Sequence, residues 1–282
     1  MSAPRDDRLL PFTRILGACI LPFLVVAAIL LLALPADTET HFAWTILPPV
    51  TATLLGSAYA GGIWFFIQVV RERRWHAVAW GFPAVIVFAT LLGLATVLHT
   101  DRFHPGHPSF LTWAALYAVT PPLTLVAFLV NVRRDSGRPE RDDVTIPGGW
   151  RVALALIGGA AAVTGLVLFT APGLLIGTWG WDVTPLTARV VGAVLTLPGF
   201  VNVWMLWDRR WSSFRTLFQA QLVSLAAMLF GLVLRGGDLA WERPAAWVFI
   251  VGIVASAGVY GLFVGLMEER RKLAVGPAPL LE

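Results

Sequence analysis

Charge is scarce in this sequence. Asp, Glu, Lys and Arg make up 13% of 282 residues, about half of the ~25% that a soluble domain carries. A soluble fold needs a charged exterior, so this shortage excludes an ordinary water-soluble domain. Cysteine occurs once, as Cys19, inside the first apolar run. No intrachain disulfide can form, and no thiol pair can hold a metal or do redox chemistry. Lysine also occurs once, as Lys272 near the C-terminus, which excludes a membrane-buried Schiff base of the retinal type. There is no Gly-x-x-x-x-Gly-Lys-Ser/Thr phosphate loop, no His-Glu-x-x-His and no Gly-x-Ser-x-Gly, which removes the nucleotide and hydrolase chemistries those motifs carry. The middles of the apolar runs hold no Asp, Glu, Lys or His. The usual carriers of a proton relay and the usual ligands of a buried haem are therefore missing. No cofactor is expected. An enzyme is disfavoured, because no acid, base and nucleophile cluster.

Hydrophobic residues, by contrast, make up 57% of the chain, and mean hydropathy is +0.74. They gather in runs of about 18 residues or more, enough to cross roughly 30 Å of hydrocarbon as helices. Such runs fall at 13–34, 49–70, 78–98, 112–132, 151–171, 187–207, 216–234 and 245–266. The first is longer than the apolar region of a signal peptide and lacks a good cleavage site, so it counts as a span. Thirteen tryptophans suit a protein with two membrane interfaces to anchor. The net charge of +4 and the pI near 10.0 do not point to nucleic acid, because the arginines sit in short loops between spans. The expected partners are the lipid bilayer and its acidic phospholipid headgroups.

Orientation follows from the basic residues. With a cytoplasmic N-terminus, the inside receives Arg5, Arg8, Arg14, Arg71, Arg73, Arg74, Arg133, Arg134, Arg138, Arg141, Arg151, Arg209, Arg210, Arg215, Arg270, Arg271 and Lys272. Only Arg102, Arg189, Arg235 and Arg243 fall outside. Cationic loops resist translocation, so both termini are expected in the cytoplasm of a plasma (inner) membrane.

The two halves of the sequence match at an offset of 136–138 residues. Arg14 aligns with Arg151, Pro35 with Pro172, Trp44 with Trp181 and Pro48 with Pro185; Thr51-Ala52 with Thr187-Ala188, Gly56 with Gly192, Arg73-Arg74-Trp75 with Arg209-Arg210-Trp211, and Gly93-Leu94 with Gly231-Leu232. The predicted fold class is therefore an all-α integral membrane protein of eight transmembrane helices, built as two parallel four-helix repeats. The repeats run over 13–134 and 150–271, with a polar cytoplasmic linker at 135–149 and a tail at 272–282. Ser57-x-x-x-Gly61, Ala161-x-x-x-Gly165 and Gly261-x-x-x-Gly265 are small-xxx-small patterns that permit close helix approach.

Three groups of residues merit attention. The first is a pair of helix interruptions at corresponding places. Gly61-Gly62 aligns with Leu197-Pro198, and proline or paired glycine weakens a helix. Such paired breaks mark midplane binding sites in transporters. With the nearby Ser57, Tyr59, Thr196 and Asn202 they form the expected ligand site; Thr120-Pro121-Pro122 is a further expected break. The bland alternative is that these residues only shape packing. The second group is His99, Asp101, His104 and His107, with His41 on another outer loop. Imidazole and carboxylate suit a metal or a pH response, but no zinc-like spacing is present, and ordinary loop polarity is the stronger reading. The third is Arg189, about one turn inside the outer end of the sixth span, which must snorkel or pair with an acid, with anion binding as the functional alternative. Asp182, Asp238 and Glu242 are the expected partners of this outer polar cluster.

Around that arginine runs Trp181-Asp182-Val183-Thr184-Pro185-Leu186-Thr187-Ala188-Arg189. In this segment, and loosely over the second half, the chain resembles uncharacterised polytopic membrane proteins of actinobacteria-like genomes that carry Trp-x-x-Thr-Pro-Leu-Thr-Ala-Arg. The resemblance implies a bacterial inner-membrane protein and assigns no activity. The expected function is a transporter-like or channel-like protein for a small neutral or weakly charged solute. The alternative is a non-catalytic scaffold, sensor or accessory subunit.

Overall fold

A computed structural model of the chain describes residues 6–135, 137, 139 and 143–275. Arg5, Arg138 and Arg141 lie outside the described residues, as does most of the expected tail. Among the described residues the chain is helical throughout, with isolated β-bridges but no strand. The helices are α1 (Pro11–Ala33), α2 (Thr38–His41), α3 (Pro49–Arg71), α4 (Gly81–Leu98), α5 (Pro108–Val132), α6 (Gly148–Thr170), α7 (Pro185–Asn202), α8 (Arg215–Arg235) and α9 (Pro244–Val275). All except the one-turn α2 are long and apolar enough to cross a membrane, which makes eight. This is the architecture of a multi-pass membrane protein.

Local chemistry sets the helix starts. Proline opens α1, α3, α5, α7 and α9, where its missing N–H costs nothing. Thr184 completes a capping box with Thr187 at the start of α7, and the His107 side chain accepts from the Ser109 N–H at the start of α5. The ends differ modestly from the apolar runs. α9 continues past the predicted 266 to Val275 because Arg215 and Arg271 both pair with Glu268, so its last turns are held by charge.

The expected helix breaks are absent. α3 runs unbroken through Gly61-Gly62, α5 through Pro121-Pro122 and α7 through Pro198. Neighbours hold these helices on their course. Gly93 of α4 lies against α5 here: a Cβ on it would stand 3.2 Å from the Tyr117 carbonyl, the one that Pro121 leaves without its helix donor. Gly61 lies against α8: a Cβ there would come within 2.6 Å of the Ala220 carbonyl. The glycine pair is thus a contact surface for another helix.

α3 and α7 form the centre. α1 packs on α3 and α6 on α7; α8 packs on α3 and α4 on α7; α5 flanks α4 and α9 flanks α8. Each central helix therefore touches its own half and the opposite half. Aromatic side chains cluster at both ends of the helices. At the ends nearest α2, Phe42, Trp44 and Trp113 form one aromatic cluster and Trp179, Trp181 and Phe249 another. At the opposite, arginine-rich ends, Trp75 packs on Phe82 and Phe128, and Trp211 on Phe218 and Phe263. There too, Leu9 N–H donates to the Arg73 carbonyl and Ile146 N–H to the Arg209 carbonyl. Trp44, Trp75, Trp181 and Trp211 are fully buried and knit loops to helices, a different task from the interfacial anchoring expected of tryptophan. The outward surface is a belt of Val, Leu and Phe, with Val97 72% and Val233 83% exposed, suited to lipid and not to water.

Candidate functional site

A cavity of about 560 Å³ lies between the two central helices and their neighbours, and all eight long helices contribute to its wall. Its volume falls in the ~300–1,000 Å³ range of small-molecule sites. No Asp, Glu, Lys, Arg or His lines it. The wall is Leu, Val, Ala and Phe, with a few hydroxyls, one amide and all three tyrosines of the chain.

On the α4–α5 side the Tyr59 and Tyr117 phenols meet at 2.6 Å, both buried. One hydroxyl donates to the other, so one phenolic proton has no acceptor in this pair. On the α8–α9 side the centre is Asn202. Its Nδ2 donates to the Leu154 carbonyl at 3.0 Å and to the Tyr260 hydroxyl at 2.8 Å, and its Oδ1 accepts from Gln221 Nε2 at 3.2 Å. The Leu154 carbonyl fixes the amide orientation, since it can only accept. Gln221 Oε1 is buried without a partner.

The residues expected to form the ligand site divide. Ser57, Tyr59, Gly61, Gly62 and Pro198 line the cavity; Thr196 and Asn202 do not. Ser57 donates to the Leu54 carbonyl and Thr196 to the Ala193 carbonyl, so both hydroxyls are spent on their own helices. Asn202 sits behind Gln221 and Tyr260 and reaches the cavity through them. Tyr117, Tyr260 and Gln221 were not found from the sequence. Their signal was scarcity: three tyrosines in the chain, each inside a span.

The outer polar cluster does not assemble. Arg189 pairs with His99, its Nη1 lying 2.7 Å from the His99 Nε2. Asp182 pairs with Arg243 at 2.8 Å, and Glu242 lies 3.9 Å from the same guanidinium. Asp238 accepts from the Val50 N–H at 2.8 Å, putting a carboxylate on the N-terminus of α3, where the helix dipole favours it. Burial, and then the Arg189 charge, lower the His99 pKa from its ordinary value, so the imidazole is neutral and can accept from the guanidinium. The histidine loop is likewise dispersed: His104 lies against the Phe42 carbonyl, His107 caps α5, and Asp101 pairs with Arg102. Among the described residues no group of three His, Cys, Asp or Glu side chains is arranged to hold a metal.

A charged network joins the arginine-rich ends instead. Arg210, 8% exposed, binds Asp135 at 2.6 Å and Asp208 at 2.7 Å, and Trp80 Nε1 donates to Asp208. Burial pushes both carboxyls up, but the Arg210 guanidinium more than reverses this and holds each below the ordinary carboxylate value. The contacts join the α3–α4 loop, the end of α5 and the α7–α8 loop. Nearby, His76 is bonded to Asp7. Comparison of the chain with protein-family models, with curated proteins and with solved structures finds no match in any of the three.

Proposed function

We propose that the protein is a multi-pass membrane protein of transporter-like or channel-like character that binds a small, neutral, mainly apolar solute between two duplicated four-helix units. The cavity carries this reading: both halves of the chain contribute to its wall, and no charged side chain lines it. An ion or zwitterion placed there would lose its hydration without finding a counter-charge. A neutral solute loses little and gains contact area.

Several matched contacts support the duplication. α1 on α3 corresponds to α6 on α7, and α8 on α3 to α4 on α7. The aromatic clusters and the loop bridges correspond at the same offset as the sequence match. Both units then have the same orientation, with a pseudo-two-fold axis along the membrane normal. We place the arginine-rich ends, and with them both termini, on the cytoplasmic side of a bacterial inner membrane, facing acidic headgroups.

A second reading, a scaffold, sensor or accessory subunit, draws on Asn202, whose bonds serve to lock α6, α7, α8 and α9 together. Thermal unfolding of the purified protein against a panel of solutes separates the two, because a bound solute stabilises the native state by mass action. Neutral, mainly apolar compounds are expected to raise the midpoint. Stabilisation by ions alone, or by nothing in the panel, rejects solute binding.

A further inference from the structure

The shape of the cavity, the gap in its wall and two unspent hydrogen-bonding groups beside Asn202 narrow the chemistry of its occupant. The lining residues of α9 extend from Ala245 to Tyr260, roughly 22 Å at helical rise. An elongated, almost wholly apolar space of that length suits an extended chain better than a compact solute.

The wall is incomplete on one side. In the first half α1 and α5 touch, and the Asn131 Nδ2 donates to the Thr13 hydroxyl across the joint at 2.7 Å, both residues fully buried. In the second half, the corresponding helices, α6 and α9, barely meet. Trp150 packs on Phe263 at the arginine-rich end of this seam. Farther along, Ala160 of α6 and Gly252 of α9 both line the cavity and are exposed at the surface. Nothing lies within 4 Å of where a Gly252 Cβ would stand. The cavity therefore opens sideways, at the depth of lipid chains.

At the inner end of the space Tyr260 and Gln221 are both bonded to Asn202 and both line the cavity. The Tyr260 oxygen accepts from Asn202, so its own proton lacks an acceptor among the described residues. Gln221 Oε1 lacks a donor. An alcohol answers both, accepting from Tyr260 and donating to Gln221; a ketone or ether answers only the first. A carboxylate or phosphate would be buried without a counter-charge.

We propose that the cavity holds a neutral single-chain lipid alcohol, a long-chain fatty alcohol or isoprenol, which enters from the bilayer between α6 and α9 and sets its hydroxyl against Tyr260 and Gln221. This occupant presupposes the neutral-solute site proposed above and specifies its ligand class. The test uses the full-length protein in phosphatidylcholine nanodiscs, with hexadecanol, hexanol, palmitate at neutral pH and phosphatidylglycerol as probes and thermal unfolding as readout. Hexadecanol is expected to raise the midpoint saturably and hexanol only weakly, with palmitate and phosphatidylglycerol inert. Tyr260→Phe should weaken hexadecanol binding roughly tenfold, the worth of one hydrogen bond. Gly252→Trp, which plugs the seam from an open position, should abolish it and leave the unliganded midpoint unchanged. If hexanol binds as well as hexadecanol and Gly252→Trp has no effect, the lipid alcohol is overturned while the neutral-solute site survives. Palmitate binding as tightly as hexadecanol overturns the hydroxyl assignment. If no neutral compound binds, both readings fall.

Discussion

Asn202 uses every polar atom it has, and each partner lies on a different helix. Replacing it with alanine takes the acceptor from the Gln221 amide and the donor from the Tyr260 hydroxyl, which costs about 1–3 kcal/mol. Asn202→Ala is therefore expected to lower the unfolding free energy in mixed micelles by that amount; an unchanged value would mean that the node is already open to water. At the arginine-rich end, Asp135 and Asp208 are held below the ordinary carboxylate pKa by Arg210. A lowered folded-state value stabilises the protein above the unfolded value near ~3.9, and that contribution is lost as pH falls through the folded values. His99, whose pKa is lowered from 6.5, should give a first fall in melting temperature as pH drops below that value; the two carboxylates should give a second fall below about pH 4, and Asp208→Asn should flatten that acid limb alone. Sequence alone identified Asn202 and Tyr59 as buried polar residues of interest. It did not reveal their partners, Tyr117 and Tyr260, because each lies 58 positions away and no local pattern encodes that separation. For Arg189 the expected partners were acids of its own loop and of the last outer loop, Asp182, Asp238 and Glu242, yet His99 at the end of α4 is the group that reaches it.

The three small-xxx-small patterns look alike in sequence and behave differently as helix surfaces. A Cβ on Gly165 would strike the Gly192 carbonyl and approach the Leu195 Cβ to 3.0 Å, whereas Gly261 and Gly265 have nothing within 4 Å. Gly165→Ala should destabilise the protein by about 1–3 kcal/mol through overpacking of α6 on α7. Gly261→Ala should change stability by less than about 0.5 kcal/mol. Equal effects at the two sites, read from unfolding midpoints, would show that the bare glycine face of α9 is covered by something in the membrane. The same lesson holds for the expected breaks at Gly61-Gly62 and Pro198. Residue type reports a weakened helix, but whether the helix bends is decided by what packs beside it, and here α8 lies along α3 at that point.

For the whole molecule, the eight spans were legible because long apolar runs admit few other interpretations. Even the division into central and peripheral helices left a trace, since α3 and α7 are the two least hydropathic of the eight. A helix surrounded by protein need not satisfy lipid on every side. The cavity left no such trace, because it is a space between faces contributed by every long helix. Its wall residues are ordinary Leu, Ala and Phe.

The crossed packing of the two centres has a bearing on how the protein is made. α4 leans on α7, and α8 on α3, so the first four spans leave the ribosome with a flank of α4 that only later chain can cover. Until α7 arrives, lipid or a holding partner must shield it. Severing the chain between Asp135 and Asp143 should therefore yield fragments that are each degraded or aggregated when expressed singly. Expressed together, they should copurify through a single affinity tag as a complex that melts cooperatively; fragments that accumulated independently would contradict the exchange of helices between halves.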